Sequence, residues 1–272
     1  MPDWDATTYE AKDTVLRVLR RAAERFFILA ETPHAWEAPT ACPRWQVRDV
    51  VGHIIDVTES YFVGFDVARA GREHPEAFGT RAMQSMLDEG ARSHRALGQE
   101  AAVERLRTDF AKLMEMCEAL GPDEWGGLIV PHRYMGPLPA FFYPVFQLMD
   151  YGVHSWDIRQ GRGRAHGLDG DAADFLVPFM LILWSATTDI PAEAQPCEIG
   201  VQVCAGHNAG SWRLSAGPSG LAYAAGDTGG LPATLTFDPG SFVLTAFGRS
   251  NSGTICGDTA TAERFLNLFF RI

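Results

Sequence analysis

The chain has 272 residues, 46% of them hydrophobic and 21% charged, enough to bury one large core or two modest ones. A formal net charge of −11 argues against nucleic acid and against an anionic membrane surface, since both are held by clustered Lys and Arg. The expected partner is a small, neutral or modestly charged molecule.

The opening MPDWDATTYEAKD is acidic and polar, unlike a secretory signal. From Thr7 to Glu31, Val15, Leu16, Leu19, Ala22, Ala23, Phe26 and Phe27 recur at helical spacing, and Pro33 ends the pattern. Trp45 to Ala70 repeats it through Val50, His53, Ile54, Val57 and Tyr61. Residues 81–120 read as one long or broken helix closed by Gly121 and Pro122. Gly121 to Pro139 reads as a Gly/Pro-rich loop, and Pro144 falls in the first turn of a fourth helix running to about Gln160. Four long amphipathic helices with short connections predict a four-helix bundle.

After Gly161 the texture changes. GRGRAHGLDGD reads as a polar linker, followed by an apolar helix near Ala172 to Thr188. The apolar run Phe175–Ala186 contains Pro178 and is too short for a membrane span. From Pro196, the runs CEIGVQVCAG, GSWRLSAG, GLAYAAG and PATLTFDPG alternate with glycine turns and predict an antiparallel sheet. Ser241 to Phe247 also looks strand-like, and Thr259 to Phe270 returns to helical spacing. The expected fold is α+β in two domains: residues 1–165 as the bundle, 166–190 as a linker helix and 191–272 as a small α+β domain.

Five cysteines (Cys42, Cys117, Cys197, Cys204, Cys256) form no CxxC pair. They point to neither a disulfide framework nor a thiolate zinc site, and they read as small core residues in a reducing, cytoplasmic setting. GxGxxG, P-loop and GxSxG signatures are absent. The chemistry concentrates instead in Gln147–Asp157, QLMDYGVHSWD. On a helix, Asp150, His154 and Asp157 share one face. A third inward candidate, His53, sits in the apolar stripe of the second helix. Two histidines and one carboxylate leave coordination positions open, as in catalytic metal sites; zinc is the default, and another divalent transition metal fits the same donors. Asp157 is either an acceptor that orients the His154 imidazole or a solvated or capping acid. Asp49 and Asp56, one turn either side of His53, compete for the orienting role. His34, His74, His94, His132, His166 and His207 lack a helical partner and read as surface or loop residues.

WQVRDVVGHI and PHRYMGPLPAFFYPVFQLMDYGVHSWDIRQG resemble the mycothiol-dependent maleylpyruvate isomerase family, within the DinB-like metalloenzymes. FGRSNSGTICGDTATAERFLNLF is similar to that family's sterol-carrier-like second domain. The resemblance implies a metal, usually zinc, on His53, Asp150 and His154, with Asp150 standing where the family has glutamate. It also implies catalytic contributions from Asp157 and from Arg249 in AFGRS, and a helical rather than strand-like segment just before Arg249. Mycothiol is the implied thiol cosubstrate. A metal-activated thiolate can add to a conjugated double bond and leave after rotation, or it can displace a leaving group, so isomerase and S-transferase activity both stay open. Arg249 would hold an acidic substrate group, and Phe141, Phe142 and Tyr143 would line the entrance. A metal-dependent hydrolase and a non-catalytic small-molecule or lipid-binding protein are the alternatives. Substrate and oligomeric state are left unspecified.

Overall fold

The computed structural model describes residues 2–163, 166–191, 193 and 195–272. They form two compact units, Met1–Ala172 and Ala173–Ile272. Arg164 and Ala165 of the predicted linker, and Ala192 and Ala194 at the start of the predicted second domain, lie outside the described residues.

The first unit is the helical bundle. Its long helices are α1 (Lys12–Ala30), α2 (Val47–Arg69), α4 (Gln99–Glu118) and α6 (Phe142–Gly161), with α3 (Met83–Ser93) laid against α2. The apolar stripe of α1 is buried as its spacing demands: Val15, Leu19, Ala23 and Phe26 are all sealed from solvent. The predicted 81–120 helix is broken into α3 and α4, because Gly98 takes an extended backbone and starts α4 afresh. Lys12 is buried, yet its ammonium donates to the Glu118 and Leu120 carbonyls at 2.6 Å each, placing a cation on the negative end of α4.

Gly121–Pro139 is not a plain loop. Pro122 opens a short helix, α5 (Pro122–Gly127), and an antiparallel hairpin follows in β1 (Ile129–His132) and β2 (Gly136–Pro139). Trp125 of α5 is fully buried and donates to the Ala6 carbonyl at 3.0 Å.

The second unit contains most of α7 (Gly170–Thr187) and a five-stranded sheet. Among the described helices, α7 alone is long and apolar enough to cross a membrane, and 61% of that stretch is buried within the protein. The strands are β3 (Cys197–Val203), β4 (Gly210–Gly217), β5 (Gly220–Ala225), β6 (Ala233–Phe237) and β7 (Thr254–Gly257), in the order β5-β4-β3-β6-β7. The sheet is not wholly antiparallel: β3 and β6 run parallel, Val201 facing Leu235. Two hairpins carry the chain out through β4 and β5 before it returns to the other side of β3.

The strand-like Ser241–Phe247 lies instead in a helix, α8 (Pro239–Ala246). Asp238 caps it by accepting from Ser241 N at 3.0 Å, and Pro239 fixes its first turn. A last helix, α9 (Thr259–Leu266), packs on β3 and β6. Trp184 of α7 anchors this unit's core against Phe242, Phe265 and Phe269, the last stacked at 5.0 Å.

Two glycines of α6 should respond oppositely to a methyl group. At Gly161 an added Cβ would overlap the Pro39 carbonyl and the Thr40 backbone, whereas at Gly152 nothing lies within 4 Å. Gly161→Ala should therefore destabilise the bundle by roughly 1–3 kcal/mol. Gly152→Ala should stabilise it by about 0.5–1 kcal/mol. Urea unfolding midpoints check both, and an unchanged midpoint for Gly161→Ala would contradict the close approach.

Candidate metal centre

The second and sixth helices bring the three predicted ligands together. His53, Asp150 and His154 each present a donor atom within 4.8 Å of the others. His53 Nε2 is 3.5 Å from Asp150 Oδ1, and the two imidazoles meet edge to face with centroids 5.0 Å apart. His53 and His154 are buried, and the Asp150 side chain keeps 16% of its exposure. Donors at about 2.0–2.1 Å from a tetrahedral ion lie roughly 3.3 Å from one another, so the His53–Asp150 spacing fits two ligands of one ion as well as a direct ion pair.

The orientation of His154 comes from Asp157. This carboxylate is wholly buried rather than solvated, and its Oδ2 lies 2.9 Å from His154 Nδ1. Proton and carboxylate therefore occupy the Nδ1 side, which leaves the Nε2 lone pair for a cation. Burial lowers the His154 pKa, against the opposing pull of Asp157, and so favours the neutral imidazole a metal requires.

Asp49 and Asp56 do not take the orienting role. Asp49 has no exposure and receives Arg95 through two bonds of 2.6 and 2.8 Å, while also capping α2 through Gln46 N. Asp56 is held by Arg133 at 2.8 Å. His53 Nδ1 is thus buried without a hydrogen-bond partner among the described residues. Such an orphan is costly, and Ser155 Oγ of α6 is another among the described residues.

The segment before α2 closes the outside of the cluster. The Trp45 ring lies 5.2 Å from His53 and 6.0 Å from His154, and its Nε1 donates to Asp88 of α3 at 2.9 Å. An added Cβ at Gly52, beside His53, would overlap the Ala91 carbonyl, so α3 can approach only because that residue is glycine. Thr58 Oγ1 reaches Gln147 Oε1 at 3.0 Å, a buried polar link between α2 and α6 next to the ligands.

Two residues escaped the sequence reading. Cys42 is not an inert core thiol: its Sγ lies 3.0 Å from Asp157 Oδ2 and 3.8 Å from His154 Nδ1. His132, assigned to the surface or a loop, sits in β1 within an aromatic wall formed by Tyr61, Tyr143 and Phe146, with Phe146 at 5.2 Å. Its Nδ1 accepts from Tyr134 N and Met135 N at 3.3 and 3.2 Å, which fixes the neutral tautomer with the proton on Nε2. The spacing PHRYMGP, a short hairpin around a left-handed Gly136, was the available signal.

Tyr143 does not line an entrance; it is fully buried with its hydroxyl donating to the Val130 carbonyl at 3.0 Å. Phe141 and Phe142 stack on each other at 4.6 Å, both nearly buried. Arg249 belongs to the second unit, where its guanidinium donates to the Phe247 and Ile272 carbonyls at 3.2 and 3.3 Å.

Residues 16–159 match the family model described as the mycothiol maleylpyruvate isomerase N-terminal domain. Among solved structures, the chain is similar to the mycothiol-dependent maleylpyruvate isomerase, with TM-score 0.62, 14% identity, and 92% of this chain and 95% of that one covered. A histidine-to-alanine mutant of the same enzyme gives TM-score 0.62 at 13% identity over the same shares. A colibactin self-resistance protein, solved with double-stranded DNA, matches 57% of this chain at TM-score 0.49 and 15% identity. No curated protein sequence matches.

Burial, above all, lowers the His132 pKa from 6.5 to about 4. The folded state therefore resists a proton that the unfolded chain accepts. The stability from this group is complete above pH 6.5 and is lost as pH falls toward 4, by up to roughly 3 kcal/mol. His132→Gln should flatten that part of the stability–pH curve in metal-free protein. Parallel curves for the two proteins between pH 6.5 and 4 would show that His132 titrates as it does in water.

Proposed function

The chain belongs to the mycothiol maleylpyruvate isomerase family, and from that premise we propose that it is a metal-dependent, mycothiol-using enzyme acting on a small metabolite. The observation that carries the reading is the meeting of His53, Asp150 and His154 at a spacing suited to one ion. Thiol-assisted cis–trans isomerisation is the favoured reaction, with S-transfer as the close variant that shares the same activated thiol. The setting is proposed to be cytoplasmic, where a low-molecular-weight thiol stays reduced.

His53, Asp150 and His154 would hold zinc or another divalent transition metal. Such an ion lowers the pKa of a thiol bound to it and makes a nucleophile available near neutral pH. The protein's own groups set the conditions. Asp157 keeps the proton of His154 on Nδ1 and so directs Nε2 inward. Trp45 covers both imidazoles and excludes water from that side. The Nε2–H of His132, set among Tyr61 and Phe146, is the neutral donor we assign to a substrate. The family resemblance also implies a catalytic contribution from Arg249 of the second unit. Asp150 is one methylene shorter than the glutamate that the family resemblance implies at that position, so its carboxylate would reach less far from α6 toward a metal. That difference points to a substrate other than maleylpyruvate.

Elemental analysis of the purified protein tests the reading first. The expected result is one transition-metal ion per chain, lost in His53→Ala and in His154→Ala while helical circular dichroism is kept. Turnover of candidate cis-configured conjugated acids should then depend on added mycothiol. Stoichiometric metal in the His154→Ala protein at undiminished affinity would refute the ligand set, and thiol-independent turnover would move the reaction to hydrolysis by bound water.

A further inference from the structure

The side of His154 that faces away from the ligand cluster carries a second, smaller network. We propose that Cys42 is a positioning residue: its thiol donates to Asp157 Oδ2 and holds that carboxylate on His154 Nδ1, so that Nε2 points at His53 and Asp150. The inference rests on reading those three residues as a metal site.

Asp157 has no solvent exposure, so its negative charge must be met by donors from the protein. Oδ2 lies 2.9 Å from His154 Nδ1 and 3.0 Å from Cys42 Sγ. The 3.8 Å from Sγ to Nδ1 leaves the two donors side by side, both aimed at the same oxygen.

The segment that carries Cys42 is shaped to deliver it. Ala41 N donates to the Asp157 carbonyl at 2.9 Å, and Cys42 N donates to Thr40 Oγ1 at 3.2 Å. Trp45 N returns to the Cys42 carbonyl at 3.1 Å, closing a tight turn. Gly161 lets Pro39 and Thr40 approach α6 closely enough for this to happen. One turn thus supplies both the thiol behind His154 and the indole over the two imidazoles.

Cys42, His154 and Asp157 also bring three donor atoms within 4.8 Å of one another, as a metal site could. Their spacing argues for hydrogen bonds instead. Ligands of a tetrahedral ion with one sulfur would stand roughly 3.3–3.5 Å apart, longer than the 2.9 and 3.0 Å observed. A metal there would also displace the proton that orients His154.

The test is zinc affinity by chelator competition, with the His154 tautomer read by nitrogen-15 NMR on metal-free protein. Wild type, Cys42→Ala, Cys42→Ser and Asp157→Asn are compared, with thermal midpoints of the metal-free forms. Loss of an outer hydrogen-bond partner costs about 10–100-fold in metal affinity, and the weak thiol donor puts Cys42→Ala near the low end. Cys42→Ser keeps a donor and should stay close to wild type, while Cys42→Ala should also lose part of its Nδ1–H tautomer. If Cys42→Ala does not fold, Cys42→Val fills the volume without a donor and reads the same outcome. Wild-type zinc affinity and an unchanged tautomer in Cys42→Ala would overturn the proposal. So would a loss in Cys42→Ser as complete as in His53→Ala, which would make Cys42 a ligand. Should wild type bind no zinc, the site reading fails, and the tautomer comparison alone decides the role of Cys42.

Discussion

The bond between Asp157 and His154 is the constraint on which the first unit's chemistry turns. A bundle interior built from Val, Leu, Ile and Phe tolerates imidazoles and carboxylates only when each has a partner. His154 has one on Nδ1, and that single contact decides which nitrogen can serve as a ligand. Everything nearby is arranged around this choice. Asp49 and Asp56 are drawn away by Arg95 and Arg133, so they do not compete for His53. His53 Nδ1, beside the cluster, is one of several buried polar atoms that have no hydrogen-bond partner among the described residues.

Polar burial of this kind weakens a bundle unless its helices are tied by other means. Here the ties are single hydrogen bonds between residues distant in sequence: Lys12 on the end of α4, Gln147 to Thr58, Trp125 to Ala6 and Trp45 to Asp88. None is a large energy by itself, since a net intramolecular hydrogen bond contributes about 0.5–1.5 kcal/mol. Their value is in fixing direction. Each joins two elements that flank the His53–Asp150–His154 cluster or brace the helices that carry it.

The helices and the meeting of His53, Asp150 and His154 were legible in the sequence because both depend on one period. Residues 50, 53, 54, 57 and 61, and 150, 154 and 157, advertise their faces through spacing alone. What the sequence hid was non-local or masked by composition. The parallel pairing of β3 with β6 joins segments separated by two hairpins, and no local pattern announces it. The Gly/Pro content of 121–139 concealed a hairpin, and with it the place of His132. Ser241–Phe247 is apolar enough to pass for a strand, although Asp238 followed by Pro239 was a legible helix start. Cys42 gave no signal, because its partner lies more than a hundred residues away and only the fold brings them together.

The placement of three functional side chains on a single helix has a bearing on how such a chain can change over generations. Each residue along α6 turns the face by about 100° and advances it by about 1.5 Å. Exchanging one side chain for another leaves that registration intact, as an aspartate at 150 already illustrates. Gaining or losing a single residue between Asp150 and Asp157 would instead swing part of the set toward the opposite side of the helix. Lineages descended from this sequence can thus exchange residues between these positions more readily than they can change the length of the stretch, and the same holds for the tight turn that carries Cys42 and Trp45.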